Sequence, residues 1–342
     1  MRLARDTLFG IGRPLGPLYG GLMSLRAAAY RRGWLRRERL RIPVVSVGNL
    51  TMGGTGKTPM VVQVVRLLQA MGRQPAVVSR GYGGQARAPV NVVSDGKQIL
   101  LDAVMAGDEP RLLAESLPGV AVVTGARRAV AARFASDRLG AEVIVLDDGF
   151  QHLALHRDLD LVLFKGPEFL GNGRVFPGGD LRESFSALGR ASAFVLNDAA
   201  PQLSSAGEGF CQRLTAVFPG RPIFRAFFRS GGLQPGNALA ATNVIGPCLG
   251  FCGLARPEGF RQVLSELVEL KGFVTFADHH PYVAGDLTGL VRQAERQGAG
   301  ALVTTAKDLV KLRELGCPLP LYVLPVELTL PDEFSPLLAD LF

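Results

Sequence analysis

The chain has 342 residues, enough for about two domains of the usual ~100–200 residues, and 47% of them are hydrophobic against 20% charged. That balance excludes a disordered chain and leaves a folded globule with a sizeable core. The formal charge is +8, but residues 1–41 carry all of it as ten arginines against Asp6 and Glu38, while residues 42–342 hold 28 basic and 28 acidic side chains.

The basic arm comes first. Arg13 and Arg26 bracket an apolar run of only 12 residues, 14–25, short of the roughly 18–20 that a membrane-crossing helix needs. Gly and Pro dilute this run, and Arg26 falls where a cleavable signal peptide would need small neutral residues. Leu15, Leu18, Leu22, Leu25 and Ala29 recur at steps of three or four, and the one tryptophan, Trp34, follows among arginines. This is the pattern of an amphipathic segment lying on an anionic membrane surface, although a helix packed on the protein's own body would share the spacing. Nucleic acid is not the expected partner, because nothing beyond the arm offers a basic or aromatic binding surface.

From residue 42 onward, short apolar runs alternate with helical patterns: 43–47, 76–79, 120–124, 142–146, 159–164, 193–196, 244–251, 274–276, 301–304 and 321–324. The alternation predicts an α/β architecture with mostly parallel sheets. Composition breaks at 198–209 and 230–236, rich in small residues, place a junction between about 198 and 241. The four cysteines make no disulfide framework and no CxxC pair, so a reducing, cytoplasmic setting is expected. Cys248 and Cys252 lie in an apolar run and are expected to be buried.

Residues 48–58, Gly-Asn-Leu-Thr-Met-Gly-Gly-Thr-Gly-Lys-Thr, follow the apolar strand 44–47 and precede the periodic segment 60–68. Strand, Gly-rich loop and helix is the order that a phosphate-binding P-loop requires. Gly53, Gly54, Thr55 and Gly56 supply the turn that aims backbone N–H groups at phosphate oxygens, Lys57 reaches the β- and γ-phosphates, and the Thr58 hydroxyl can hold Mg²⁺. Thr51 stands where the strict GxxxxGK[ST] pattern has Gly, and Met52 where dimerising ATPase switches carry a lysine. The apolar strand 143–146 ends in Asp147-Asp148, a carboxylate pair suited to holding the metal directly or through water. By itself Asp-Asp-Gly is also an ordinary turn. Asp108 reads as a helix N-cap with Pro110 in the first turn. His152 and His156, four apart, could share a helix face but lack a third metal ligand.

Together these motifs resemble the tetraacyldisaccharide 4'-kinases, the lipid A 4'-kinases of Gram-negative envelope synthesis. The resemblance rests on the loop 47–59, Ser79-Arg-Gly-Tyr-Gly83, Gly107-Asp-Glu-Pro110, Asp147-Asp-Gly-Phe-Gln-His152, Gly171-Asn-Gly173, Leu181-Arg-Glu183, Phe276-Ala-Asp-His279 and Thr305-Ala-Lys-Asp308. It departs at Ala306, where the family usually has Glu. It implies transfer of the ATP γ-phosphoryl group, with Mg²⁺, to the 4'-hydroxyl of a tetraacyl glucosamine disaccharide 1-phosphate at the cytoplasmic face of the inner membrane. It further implies that Asp108 accepts or orients the acceptor hydroxyl proton, with His279 paired to it from the second domain. Glu183 would assist the metal, Arg80 and Tyr82 would contact phosphate or sugar, and Gln151 and His152 would border the site. The expected division is a membrane-associating arm 1–41, a P-loop kinase domain 42–200, a linker 201–241 and a smaller α/β domain 242–342. A membrane-recruited P-loop ATPase switch with a protein partner is the competing reading, weakened by Met52.

Overall fold

The computed structural model describes residues 7, 9–197, 204–240, 246–313 and 315–342. The start of the arm, the first half of the composition break at 198–209 and the start of the strand expected at 244–251 lie outside them. The described strands are β1 (Val44–Asn49), β2 (Pro75–Ser79), β3 (Asn91–Asp95), β4 (Ala121–Thr124), β5 (Val143–Asp147), β6 (Leu159–Lys165), β7 (Ala193–Asn197) and β8 (Ile223–Ser230). They continue with β9 (Gln234–Pro235), β10 (Cys248–Cys252), β11 (Leu270–Thr275), β12 (Ala301–Thr305), β13 (Leu321–Leu324) and β14 (Val326–Thr329).

Two sheets result, a nine-stranded one of order β14-β8-β7-β6-β1-β5-β2-β4-β3 and a five-stranded one of order β11-β10-β12-β13-β9. In the large sheet only the edge strands β3 and β14 run antiparallel to their neighbours. A parallel sheet needs cover on both faces, which is why β1, β2 and β5 read as continuous apolar runs. Their alternate residues feed opposite cores: Val45, Val77 and Val145 face one side, and Val44, Ala76, Val78 and Ile144 the other. The helix Lys57–Ala70 covers the first core with Met60, Val61, Val64, Val65 and Leu68, one stripe at helical spacing. The helix Arg128–Leu139 covers the second with alanines 129, 131, 132 and 135. In the small sheet β10, with buried Cys248 and Cys252, lies between β11 and β12.

The expected domain boundaries need correction. Residues 223–230, inside the expected linker, form β8 and pair in parallel with β7. The chain's end also leaves the second domain: β14 pairs with β8, and Phe334 and Leu338 of the helix Phe334–Ala339 are fully buried in the first core of the large sheet. Phe224, Ala226, Leu328, Phe334 and Leu338 are buried in the first core of the large sheet, so the small domain is an insertion between the neighbouring strands β8 and β14.

The arm contains the helix Gly16–Arg31. Gly12, Gly16 and Gly20 face the segment Val175–Gly178 so closely that an added Cβ at Gly12 would fall 2.4 Å from Pro177 O. Tyr19 adds an edge-on contact with Phe176. The opposite stripe, Ile11, Leu15, Leu18, Leu22 and Leu25, is exposed, as is Trp34. One face of the arm thus packs on the protein's own body, and the other leaves an apolar stripe exposed. No helix among the described residues is long and apolar enough to cross a membrane.

Candidate active site

The loop after β1 and the ends of β2 and β5 lie at one edge of the large sheet, where ligands of open α/β sheets bind. Register sets the spacing, since Val47 pairs with Asp147 across β1 and β5. Gly53 and Gly56 take positive φ, 101° and 88°, and Gly56 leads directly into the helix that starts at Lys57. No side chain caps that end, so its first N–H groups and the positive end of the helix dipole remain available to an anion. Two residues that sequence reasoning passed over brace the loop. Asn49 Nδ2 donates to Thr51 O at 2.7 Å, and Asn197 Nδ2 donates to Thr55 O at 3.2 Å.

Lys57 Nζ lies 3.7 Å from Asp148 Oδ1 and donates to Asn49 Oδ1 at 3.4 Å. Arg182, the neighbour of Glu183 in the Leu-Arg-Glu run, donates to both oxygens of Asp148 at 2.9 and 2.7 Å. Burial alone would raise the Asp148 carboxyl, but Lys57 and then Arg182 outweigh it and hold the group below its ordinary value. Asp147 behaves oppositely. Burial first, then the Glu109 and Asp148 carboxylates, push it up to about 7, against Lys57 and a hydrogen bond from Ser79 Oγ at 3.1 Å. Its Oδ1 is buried without a hydrogen-bond partner among the described residues. An orphaned carboxylate oxygen beside a second acid, at the end of a strand facing a P-loop, fits a hard divalent cation with oxygen ligands.

Glu183 is buried and paired with Arg190 at 2.9 Å, and the Arg190 guanidinium sits over the Phe150 ring, which links this carboxylate to the Asp-Asp-Gly-Phe turn. Gln151 Nε2 donates to Asn49 O at 2.9 Å and so ties that turn to β1. His152 is pressed down to about 4 by burial and then by Arg128, Arg157, Arg26 and Arg80. Residues 152–156 are not helical, and no cluster of three or more His, Cys, Asp or Glu that could hold a metal occurs among the described residues.

Asp108 opens the helix Asp108–Ser116, with Gly107 at φ 92° as its cap rather than Asp108 itself. The Ser79–Gly83 loop packs on this cap: an added Cβ at Gly107 would fall 2.5 Å from Tyr82 O, while Tyr82 is itself 75% exposed. Across the domain boundary His279 Nδ1 lies 3.2 Å from Asp108 Oδ2. His279 has φ 59°, a left-handed backbone uncommon outside glycine. Lys311 Nζ approaches the same Asp108 oxygen at 3.6 Å, and Arg313 pairs with Glu115 at 2.8 Å farther along the boundary. Ala306 is the first residue of the helix Ala306–Leu312.

A parallel α/β sheet with an uncapped phosphate loop, a paired cation and acid behind it, and a carboxylate–imidazole pair at the same edge defines a P-loop phosphotransferase. The family model described as tetraacyldisaccharide-1-P 4'-kinase matches residues 10–342. The chain is 44% identical over 336 residues to the tetraacyldisaccharide 4'-kinase of Desulfotalea psychrophila, covering 98% of this chain and 97% of that one. It is 43% identical over 296 residues to the enzyme of the same name from Geobacter metallireducens, covering 86% of each. The crystal structure of LpxK from Aquifex aeolicus in complex with ATP matches with a TM-score of 0.77 at 30% identity over 99% of both chains. The chain belongs to the tetraacyldisaccharide 4'-kinase family.

Proposed function

We infer that this chain transfers the γ-phosphoryl group of ATP to the 4'-hydroxyl of a tetraacyl glucosamine disaccharide 1-phosphate, a step in lipid A biosynthesis. The observation that carries the reading is the meeting of Asp108 and His279 at 3.2 Å beside an intact P-loop, in a chain that matches the family from residue 10 to its last residue. Backbone N–H groups of residues 53–58 cradle the β- and γ-phosphates, and Lys57 neutralises charge that spreads over the transferring group. Thr58, Asp147 and Asp148 would hold Mg²⁺, which when bound neutralises the phosphate oxygens and aligns them for transfer. Asp108 receives the proton of the acceptor hydroxyl. An ordinary carboxylate is a weak base toward an alcohol, but a loose transition state asks for little early proton removal, so holding the hydroxyl in line matters more than basicity.

The arm is the membrane-facing element. Its exposed leucine stripe and arginines suit an anionic leaflet and support the reading of a peripheral protein on the cytoplasmic face of the inner membrane, where its lipid acceptor would reside. The test is incubation of the full chain with γ-labelled ATP, Mg²⁺ and the detergent-dispersed acceptor. Label should extract with the lipid, and Lys57→Met should lower the rate by at least ~100-fold. Label released only as inorganic phosphate, with or without lipid, would instead describe an ATPase switch.

A further inference from the structure

Behind the Asp108–His279 pair stands a second pair of charges. Lys307 Nζ lies 3.1 Å from His279 Nε2 and donates to Asp278 Oδ1 at 2.9 Å. A lysine ammonium has three N–H donors and no acceptor. The ring nitrogen that faces it must therefore carry the lone pair, which puts the single proton of a neutral imidazole on Nδ1, the atom that faces Asp108 Oδ2. The other tautomer would set N–H against N–H on one side and a lone pair against a carboxylate on the other.

The fold holds this arrangement firmly. Lys307 sits in the first turn of the helix Ala306–Leu312, which Thr305 caps by accepting from Asp308 N. Asp308 is fully buried and accepts from Gly253 N at 3.0 Å and from Thr305 Oγ1 at 2.7 Å, locking the helix start to the end of β10. The residue after His279 is pinned as well, since His280 Nε2 lies 2.9 Å from Asp286 and its carbonyl accepts from Lys311. The charged groups in contact with the His279 ring are Asp108, Lys307 and, at 4.0 Å, Asp278, with Lys311 beyond Asp108. His279 and Lys311 both approach Asp108 through Oδ2.

We propose that Lys307 is a positioning residue for phosphoryl transfer: its ammonium holds His279 as the Nδ1–H tautomer, which donates to Asp108 Oδ2 and leaves Oδ1 to receive the acceptor hydroxyl proton. The proposal rests on the kinase reading above for its catalytic consequence, but its structural half is independent of any acceptor. The proton passes from the hydroxyl oxygen to Asp108 as that oxygen bonds to the γ-phosphorus and ADP leaves, so His279 neither gains nor loses a proton.

The chain has four histidines, so ring-¹⁵N labelling of the full-length protein with a His279→Gln variant for assignment isolates one imidazole. Long-range ¹H–¹⁵N spectra of the wild type should show His279 protonated on Nδ1. In Lys307→Met, which has no donor and frees Asp278 beside Nε2, that pattern should give way to one with Nε2 protonated, with kcat lowered at least ~10-fold and the KM for ATP within ~2-fold. Lys307→Arg, which keeps a cationic donor, should restore the pattern and most of the turnover, and also guards against a folding defect in the Met variant. An Nε2–H ring in the wild type, an unchanged ring in Lys307→Met, or a changed ring with full turnover would each overturn the proposal. The spectra need no acceptor, so failure of the tautomer assignment is distinct from failure of the wild type to label lipid.

Discussion

Replacing Leu18 and Leu22 together by Gln removes the centre of the arm's apolar stripe while leaving its packing face, Gly16 and Gly20, untouched. The two leucines are 74% and 58% exposed, so most of each side chain is free to enter a lipid surface. Full burial of a leucine is worth about 1.5–3 kcal/mol, and scaling by the exposed fractions gives roughly 2–4 kcal/mol for the pair. That corresponds to a loss of about 30-fold to nearly 1,000-fold in the vesicle partition coefficient, with the arginine contribution left in place. Gln propagates a helix almost as well as Leu, so the helix itself should persist. Co-sedimentation of the full chain with vesicles of mixed neutral and anionic phospholipid measures the effect, and ATP affinity reports that the body is folded. A change below ~5-fold with normal ATP binding would refute the assignment of this stripe to lipid.

Other outcomes follow from the site. Asp108→Asn keeps the shape of the side chain but removes the proton acceptor, so kcat should fall about 10²–10⁴-fold while ATP affinity holds; retention of kcat would remove Asp108 from the chemistry. Gly56→Ala places a Cβ at φ 88° within 2.7 Å of Asn197 Nδ2 and Phe228, and should cost about 1–3 kcal/mol of stability and weaken ATP binding at least ~10-fold. An unchanged melting temperature and ATP affinity in that variant would contradict the loop geometry. Because the folded protein holds His152 down to about 4 by burial and then by Arg128, Arg157, Arg26 and Arg80, it favours the neutral ring. The contribution of His152 to stability is then complete above the ordinary imidazole value and lost as pH falls from about 6.5 toward 4. Melting curves of His152→Gln should therefore decline less steeply than the wild type over that range, and parallel declines would contradict it.

The nucleotide half of the site was legible because it is local: strand, glycines, Lys57 and Thr58 are contiguous, and Asp147-Asp148 ends a strand that reads as buried. The pairing of Asp108 with His279, 171 residues away, came only from the family resemblance, since no spacing rule joins two domains. Arg182, Asn197, Ser79 and Lys307 were passed over as partners because contacts distant in sequence depend on strand order and loop packing, which places Asn197 of β7 under Thr55 and brings Arg182 to Asp148. The ion pair of Glu183 with Arg190 was not legible either, because the conspicuous Leu-Arg-Glu run gives no sign of which cation its carboxylate meets. The segments 223–230 and 326–329 misled because these two strands at the sheet's margin carry mixed polar and apolar residues, and because a chain that leaves a sheet and returns after about a hundred residues gives no local sign of doing so.

The most direct test is the position of the new phosphate. Product made by the wild type from the tetraacyl disaccharide 1-phosphate and ATP, examined by ¹H–³¹P correlation spectroscopy, should show one phosphorus coupled to H-4' and the original one still on the anomeric carbon. A phosphate on any other carbon, or recovery of unchanged lipid beside inorganic phosphate, would contradict the assignment.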